Sequence, residues 1–556
     1  MNAGCKGRGM TPFWLRASLL AGLCLVMGGA TARTAEDRAL VNANSDQENW
    51  RLHGRTYDNQ RFSPLTQINK DTVGRLTLIR TLHTGVNNSF EDTPLEVDGV
   101  LYTVTATNHV AAWDAVSGQQ LWAWQPDKLD YTEACCGPQA RGVAVAYGKV
   151  YTALFDGHLV ALDAKTGKLV WETDPAITHP EPKQYYTYTQ APQVYDGMVF
   201  VGTAGAEYET RGMVEAYDAR TGKKIWEFRT TAAPGEPGGE TWHGDAWKFG
   251  GGSVWNTPAI DVKNGLLVLS TGNPNPDYQG ETRPGDNAYT DSILALHLKT
   301  GKLAWWYQEV PHDLWDYDAS APVMLFDAKD ADGRTVPAAG EAGKVGNVFI
   351  VNRLTGKLLR KSEPFVEQSA NMFTPPSREG TTLLPGVSGG SLWQPPAFSR
   401  RTGYFYVLGA NIPMTFTTID FQDSKPGGPW IGRHTGGVMK RVDGPQSGTL
   451  TAIDVNSGKI AWQYKSPQPM FGGVLATASD LVFAGEMNGD FSAFDARNGT
   501  KLWSHHFDKG VCSPPMTYRV RGVQYLVVGA NGCRGGHVPL GAPLYSDDVA
   551  IFALQP

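Results

Sequence analysis

Short apolar runs alternate with polar turns along most of the chain, and the alternation follows a recurring pattern. In each clear repeat an apolar segment ends in Asp, a turn with Ser, Thr or Asn and then Gly follows, and a second segment carries Trp, as in residues 112–122. The Asp carboxylate can hydrogen-bond the turn backbone, and Gly adopts the positive φ that the turn requires. Each repeat therefore predicts two antiparallel strands joined by a tight turn, with Trp returning to the core.

Seven copies of this repeat are visible. Clear copies cover residues 112–122, 161–171, 216–226, 452–462 and 493–503, and looser copies cover residues 295–305 and 350–359. Their turn glycines are separated by 49, 55, 79, 55, 102 and 41 residues, and are Gly118, Gly167, Gly222, Gly301, Gly356, Gly458 and Gly499. Units of about 40–50 residues with four short strands are typical of β-propeller blades.

The repeats predict an all-β fold, an eight-bladed β-propeller of four-stranded antiparallel blades. We expect the eighth blade in the 102-residue gap between Gly356 and Gly458, including a strand at residues 404–408. A strand near residues 549–554 lies beyond the last repeat and should pair with N-terminal residues to close the ring. The repeat tryptophans are interpreted as structural contacts between blades, so the chemistry must come from other residues.

Composition agrees with this fold and narrows the choice of partners. Aromatic residues make up 11% of the chain, with 17 Trp and 64 Gly, while charged residues make up only 19%, as in a turn-rich β protein. The formal net charge is −6 and no basic patch stands out. Nucleic acid is therefore not expected as a partner.

The first 32 residues have the pattern of a secretory signal peptide. Lys6, Arg8 and Arg16 precede an uncharged run over residues 17–30, which ends in the small-x-small site Ala-Thr-Ala. The run is too short to span a bilayer comfortably. We expect a periplasmic protein with one mature propeller domain over residues 33–556 and no membrane span. Loss of the three cations would change the net charge from −6 to −9.

Four cysteines remain after residue 32, and the sequence contains no C-x-x-C-H haem motif. Two of them, Cys135 and Cys136, are adjacent. Neighbouring Cα atoms lie about 3.8 Å apart, whereas disulfides prefer about 4.4–6.8 Å. A bond between them would be strained, and strain is often retained at functional sites; two free thiols are the alternative. Cys512 and Cys533 flank a predicted strand pair, so we expect a structural disulfide there.

Several uncommon motifs occur in the order found in one enzyme family. They are residues 54–65 (GRTYDNQRFSPL), Cys135-Cys136, and residues 244–247 (GDAW), 250–252 (GGG), 271–274 (TGNP) and 311–317 (PHDLWDY). With these motifs the chain resembles the quinoprotein alcohol dehydrogenases, the family of methanol and ethanol dehydrogenases, over nearly its whole length after residue 32. The resemblance implies a haem-free enzyme that binds pyrroloquinoline quinone (PQQ) and a metal ion at the propeller hub.

The resemblance also implies which residues bind the cofactor. In the family, a disulfide ring of adjacent cysteines covers one face of the quinone and a tryptophan covers the other, and the matching residues are Cys135, Cys136 and Trp255. The carboxylates of the quinone need cationic and hydrogen-bonding partners. Further positions expected to contact the cofactor are Glu91, Arg141, Thr189, Gly205, Ala206, Lys344 and Trp393.

The resemblance also implies which residues bind the metal ion. Glu207, Asn273 and Asp316 match the family's ligands, and all three offer hard oxygen donors that suit Ca²⁺ or a similar cation. Asp318 stands at a position that is usually small in calcium methanol dehydrogenases and is a second Asp in lanthanide-dependent relatives. Because an added carboxylate offsets the extra charge of a trivalent ion, we favour a lanthanide over Ca²⁺.

The implied reaction is oxidation of an alcohol to an aldehyde or ketone. Asp316 is expected to take the hydroxyl proton as general base, while Lys344 stabilises negative charge on the quinone oxygen. Because the chain has no haem motif, a separate c-type cytochrome is the expected electron acceptor. Whether the protein forms a homodimer stays open.

Two other functions stay open from the sequence. The same scaffold could oxidise sugars or bulky secondary alcohols, because loops above the quinone set the pocket shape. Trp393 and Phe471 are expected to wall that pocket, and Phe471 stands where methanol dehydrogenases carry the larger Trp. A non-enzymatic propeller scaffold of the outer-membrane assembly type would share the repeats, but it would not need the combination of Cys135, Cys136, Trp255, Glu207, Asn273 and Asp316.

Overall fold

The computed structural model is an all-β protein, described over residues 34–128, 137–174, 186–208, 210–419, 435–533 and 545–555. A short α-helix, Ala35–Val41, begins with a capping box in which Thr34 and Asp37 each bond the other's backbone N–H. In these ranges, 3-10 turns occupy Val73–Arg75, Ala206–Tyr208, Gly239–Thr241 and Ala246–Phe249. Within the described ranges, none of the helices has the length and apolar character needed to cross a membrane.

Four four-stranded antiparallel sheets follow one another in the first half of the chain. Sheet A comprises Leu95–Val97, Val100–Val104, Val110–Asp114 and Gln120–Trp124. Sheet B comprises Ala144–Ala146, Lys149–Ala153, Leu159–Asp163 and Leu169–Glu172. Sheet C comprises Gln193–Tyr195, Met198–Gly202, Met213–Asp218 and Lys224–Arg229. Sheet D comprises Ala259–Asp261, Leu266–Ser270, Ser292–His297 and Leu303–Gln308.

Four further sheets occupy the second half. Sheet E comprises Met324–Lys329, Thr335–Ala342, Val348–Asn352 and Leu358–Lys361. Sheet F comprises Ala397–Ser399, Tyr404–Asn411, Ser447–Asp454 and Ile460–Ser466. Sheet G comprises Val474–Thr477, Leu481–Gly485, Asp490–Asp495 and Lys501–His506, with Phe62–Ser63 added in parallel to its first strand. Sheet H comprises Met516–Val520, Val523–Gly529, Asp548–Leu554 and Leu76–His83.

The repeat turn has the predicted geometry. In sheet A the Asp114 carboxylate accepts hydrogen bonds from the backbone N–H groups of Val116 and Ser117, and Gly118 has a φ of 70°. Equivalent bonds form at the turn Asp residues of sheets B, C and F. The strand–turn–strand interpretation of the repeats is confirmed.

Each repeat tryptophan bonds to the next sheet. Trp122 Nε1 of sheet A donates to the carbonyl of Ala164 in sheet B at 3.0 Å, and the same kind of bond joins B to C, C to D, D to E, F to G and G to H. The turn glycine of the next sheet lies against the indole, because a Cβ at Gly167 would be 2.5 Å from Trp122 Cε3. The tryptophans therefore join adjacent sheets, as expected.

The expectation for the 102-residue gap is wrong. The strand predicted at residues 404–408 is part of Tyr404–Asn411, which belongs to sheet F together with the repeat that contains Gly458. The rest of the gap includes a three-stranded sheet, hereafter the inserted sheet, of Thr381–Leu383, Met414–Thr418 and Gly437–Arg441. Among sheets A to H, the one without a copy of the repeat is sheet H.

Sheet H joins the two ends of the described chain. Asp548–Leu554 pairs with Leu76–His83 on one side and with Val523–Gly529 on the other. The predicted pairing of the C-terminal strand with N-terminal residues is confirmed. Trp503 Nε1 of sheet G also donates to the carbonyl of Leu76 at 3.2 Å, which links sheets G and H.

The segment over residues 54–65 connects several sheets by side chains. Asn59 Nδ2 donates to the carbonyls of Thr257 and Val323, both at 3.2 Å. Arg61 is fully buried, and its guanidinium donates to carbonyls that include those of Val474 and Pro515. Because these bonds satisfy carbonyls on segments far apart in sequence, this motif has a structural role around the site.

Candidate active site

Asp316 lies in the connection from sheet D to sheet E, in a loop that Asp313 holds. The Asp313 carboxylate accepts hydrogen bonds from the backbone N–H groups of Trp315 and Tyr317, both at 2.9 Å. The rings of Trp315 and Tyr317 stack with centroids 5.8 Å apart. Asp316 has a φ of 60°, a left-handed conformation that residues other than glycine seldom adopt and that is often found at functional sites.

Lys344 forms a buried ion cluster with two of the predicted site residues. It is 5% exposed, and its Nζ lies 2.5 Å from Asp316 Oδ1 and 3.2 Å from Asp318 Oδ2. Burial lowers the pKa of Lys344, but Asp316 and Asp318 outweigh burial and hold that pKa above its ordinary value. Burial raises the pKa of Asp316 well above its ordinary value, and Lys344 opposes this rise while Asp318 and Glu207 add to it.

Asp318 connects this cluster to two loops of the neighbouring sheets. Its Oδ1 accepts the backbone N–H of Asn273 at 2.6 Å, and its Oδ2 accepts Trp255 Nε1 at 3.1 Å. Gly272 permits this approach, because a Cβ there would be 3.2 Å from Asp318 Oδ1 and 2.9 Å from Ser253 Oγ. Asp316, Asp318, Lys344, Asn273 and Trp255, all predicted from the sequence, are thus brought together.

Glu207 lies in the 3-10 turn Ala206–Tyr208. This turn directly follows Gly205, whose φ is 96°. Burial raises the pKa of Glu207 to about 7, and the Asp318 carboxylate contributes to this rise. In the described part of the chain, the buried Oε2 of Glu207 has no hydrogen-bond partner. Ala206 is fully buried beside it. Glu207 therefore presents an acceptor oxygen near the cluster.

A second cluster surrounds Arg141, which is 4% exposed. Its Nη2 lies 2.9 Å from Glu91 Oε2, and its Nη1 donates to Thr189 Oγ1 at 2.7 Å. Nη1 also donates to the carbonyl of Trp255 at 3.2 Å, and the guanidinium lies 4.9 Å from the centroid of the Trp255 ring. Trp255 therefore joins the Arg141 cluster to the Asp318 cluster.

Trp393 and Phe471 form an aromatic wall. Their rings stack 5.3 Å apart with an angle of 12°, and they share one hydrophobic cluster with Trp255 and Trp315. Among the described residues, the buried Nε1 of Trp393 finds no acceptor. Cys512 and Cys533, in the same cluster, form the disulfide expected from the sequence.

Some site residues were missed or cannot be assessed. Cys135 and Cys136 lie outside the described residues. The sequence interpretation missed Gln139, whose Oε1 accepts Arg141 Nη2 at 2.6 Å. It also missed Asp277, whose Oδ1 accepts Asn273 Nδ2 at 2.8 Å. No local signal distinguishes Asp277, because the same loop also carries the side-chain oxygen of Asn275 between Asn273 and Asp277.

The residues present fit a metal ion and an anionic, flat cofactor. Glu207, Asp316, Asp318 and the amide of Asn273 offer hard oxygen donors, and the buried Glu207 Oε2 is not satisfied by the described chain. The Arg141 guanidinium contacts both the Thr189 hydroxyl and the aromatic face of Trp255. Such a set suits a ring that carries carboxylates.

Comparison with known proteins identifies the family. A family model described as "Glucose/ethanol/alcohol dehydrogenase, beta-propeller domain" matches residues 50–369 and 360–526. The quinohemoprotein alcohol dehydrogenase ADH IIB of Pseudomonas putida is 36% identical, over 92% of this chain and 78% of its own. The quinoprotein ethanol dehydrogenase of Pseudomonas aeruginosa is 31% identical, over 93% and 91%.

A solved structure adds a relative with a bound lanthanide. The "Europium-containing methanol dehydrogenase" superposes with a TM-score of 0.83 and 28% identity, over 93% of this chain and 100% of its own. The fold and the site define a quinoprotein dehydrogenase. The chain belongs to the PQQ-dependent alcohol dehydrogenase family, and is an alcohol oxidoreductase that uses PQQ and a metal ion.

Proposed function

We propose that Asp316 is the general base of alcohol oxidation and that Lys344 is its electrostatic partner. The observation that carries the proposal is the buried contact of 2.5 Å between Lys344 Nζ and Asp316 Oδ1. It leaves Asp316 Oδ2 as the oxygen that takes the substrate hydroxyl proton. A carboxylate whose pKa is raised by burial is a stronger base than one in water, so Asp316 suits proton abstraction.

The other predicted site residues are proposed to bind the quinone and to orient the substrate. Bound PQQ supplies the hydride acceptor, and a bound ion supplies Lewis acidity. Arg141 and Thr189 hold carboxylates of the quinone, with Glu91, Gly205, Ala206 and Trp393 around it. Trp255 would cover one face of the quinone, and Cys135 with Cys136 would cover the other. Trp393 and Phe471 keep water from the substrate and limit its size.

The ion is held by Glu207, Asn273, Asp316 and Asp318. We favour a lanthanide over Ca²⁺, because Asp318 adds a carboxylate that offsets the charge of a trivalent ion. The europium bound by the similar methanol dehydrogenase supports this choice. In this chain, Asp318 already accepts two hydrogen bonds, which fix the direction of its oxygens before an ion binds.

The location and partners follow the same family pattern. Sheets A to H are proposed as the eight blades of a closed propeller, because tryptophan bonds join six pairs of successive sheets. Sheets E and F are joined by the bond from the Glu363 N–H to the carbonyl of Gly458, and sheets H and A by the bond from Arg80 to the carbonyl of Val116. Residues 1–32 are proposed as a signal peptide that directs the mature domain to the periplasm. The electrons are proposed to pass to a separate c-type cytochrome, since the sequence has no haem-binding motif.

The test is reconstitution of the apoprotein with PQQ and either Ca²⁺ or La³⁺. A dye-linked assay over primary alcohols, secondary alcohols, polyols and sugars then identifies the substrate class. Asp316→Asn should bind PQQ normally, as read from quinone absorbance, yet turn over at least about a hundredfold more slowly. Exposed Asp286→Asn is the matched control. Full activity of Asp316→Asn would show that another group takes the proton.

A further inference from the structure

Asp277 places an additional carboxylate beside the metal-binding loop. It lies four residues after Asn273, is 1% exposed, and its Oδ1 accepts Asn273 Nδ2 at 2.8 Å. The same amide nitrogen donates to the carbonyl of Pro274 at 3.2 Å. Because both bonds use the nitrogen, the amide oxygen of Asn273 is the end that faces away from Asp277 and Pro274.

The Asp277 carboxylate has no ion-pair partner among the described residues. Arg283 is fully buried, and its guanidinium donates to Asn287 Oδ1 and to the backbone carbonyls of Pro276, Asp277 and Asp313 rather than to the Asp277 carboxylate. Lys344 Nζ is engaged by Asp316 and Asp318. A buried carboxylate is neutralised either by a proton or by a cation bound close to it.

We propose that Asp277 is a further group of the metal centre, which holds the Asn273 amide with its oxygen toward the ion and makes the site selective for a trivalent cation. The proposal rests on the proposed metal site. Glu207, Asp277, Asp316 and Asp318 with Lys344 give the centre a formal charge of −3, counted as ionised groups. Without Asp277 the same count is −2, which a divalent ion would balance.

The two roles of Asp277 can be separated by substitution. Asp277→Asn retains an oxygen that can accept from Asn273 Nδ2, but it loses the charge. Asp277→Ala loses both the acceptor and the charge. Exposed Asp286→Asn, in the same connection between strands of sheet D, removes one carboxylate away from the cluster and is the matched control.

The experiment measures metal binding to the full-length mature protein after treatment with a chelator. Tb³⁺ luminescence sensitised by tryptophan reports binding, because Trp255 Nε1 bonds to the ligand Asp318. Ca²⁺ affinity is read by competition, and lifetimes in H₂O and D₂O count the waters on Tb³⁺. Asp277→Asn should weaken Tb³⁺ at least about tenfold and Ca²⁺ by clearly less. Asp277→Ala should weaken Tb³⁺ further and add a bound water.

The outcomes distinguish this inference from the proposed function. If wild type binds Tb³⁺ but Asp277→Asn binds both ions as Asp286→Asn does, Asp277 is not part of the centre. If Asp277→Asn weakens both ions equally, the claim of trivalent selectivity is wrong. If wild type shows no sensitised signal and no competition by Ca²⁺, both the metal site and this inference fail. Should Asp277→Ala not fold, the comparison of Asp277→Asn with Asp286→Asn decides.

Discussion

Stability should depend on pH through two buried carboxyl groups, those of Glu341 and Glu309, that the catalytic mechanism does not use. Glu341, in the strand Thr335–Ala342 of sheet E, is fully buried, and its Oε1 accepts the backbone N–H of Ala321 at 2.8 Å. The carboxyl of Glu309, which follows sheet D, is in hydrogen-bonding contact with that of Glu341. Two carboxyl groups in contact repel each other when both are ionised, so the pair favours a shared proton.

The protonation states of Glu309 and Glu341 in the folded and unfolded chain determine whether a rise in pH stabilises or destabilises the protein. Burial raises the pKa of Glu341 to about 8 and that of Glu309 well above its ordinary value. The Asp318 carboxylate further raises the pKa of Glu341. At Glu309, the Asp291 carboxylate raises the pKa and Lys361 lowers it. The unfolded chain releases these protons above about pH 4.5, but the folded chain keeps them. Stability is therefore full below pH 4.5 and is lost as pH rises toward 8.

The magnitude follows from the retained proton. One proton held by the folded state and not by the unfolded state lowers the free energy of unfolding by about 1.4 kcal/mol per pH unit. Over roughly three pH units, Glu341 alone could account for about 4 kcal/mol, an upper limit because the pair shares its protons. Glu341→Gln keeps an oxygen for Ala321 and supplies an N–H to Glu309, so it should remove this penalty.

The assay is urea unfolding of wild type, Glu341→Gln and the exposed control Glu240→Gln between pH 5 and pH 8.5. Glu341→Gln should match wild type near pH 5 and become more stable than wild type as pH rises, while Glu240→Gln should follow wild type throughout. If the difference between Glu341→Gln and wild type stays constant with pH, or grows in favour of wild type, the shared-proton interpretation of this pair is wrong.

Three other substitutions test separate parts of the molecule. Asp318→Ala should abolish La³⁺-supported activity, and intact activity would refute a lanthanide ligand there. Arg141→Lys keeps the charge but loses the planar fork, so PQQ affinity should fall at least about tenfold in an absorbance titration; unchanged affinity would exclude Arg141 from quinone binding. Gly167→Ala places a Cβ 2.5 Å from Trp122 at a φ of 69° and should cost about 1–3 kcal/mol of unfolding free energy. Gly148→Ala, at a similar φ of 66° with no atom nearby, separates crowding from backbone strain.

The strands and turns of the fold could be predicted wherever a short stretch of sequence determines them. The repeat fixes a turn within about ten residues. Five of sheets A to H carry its Asp-Gly-Trp form, and sheets D and E carry looser copies. Sheet H could not be found this way, because it lacks the repeat and takes Leu76–His83 from the other end of the chain. The gap before Gly458 was misinterpreted because its length reflects the inserted sheet, whose strands Met414–Thr418 and Gly437–Arg441 interrupt sheet F.

The site could be predicted only through rare motifs. Asp318 meets Asn273 and Trp255 across sequence separations of 45 and 63 residues, and no local periodicity encodes such contacts. The motif resemblance named these residues, yet it gave no reason to single out Asp277 or Gln139. Their roles depend on hydrogen bonds to Asn273 and Arg141, which exist only once the loops are assembled.

The repeat tryptophans and the site residues also differ in their effect on the stability of the fold. The repeat tryptophans pack on glycine and satisfy a carbonyl of the next sheet, so each one stabilises the contact between two adjacent sheets. The site gathers Glu207, Asp316 and Asp318 against a single lysine, an arrangement that opposes folding until a cation neutralises it. Ion binding to the folded state alone recovers that cost. The repeated outer contacts therefore stabilise a scaffold in which the uncompensated charge at the site can serve to bind the metal ion.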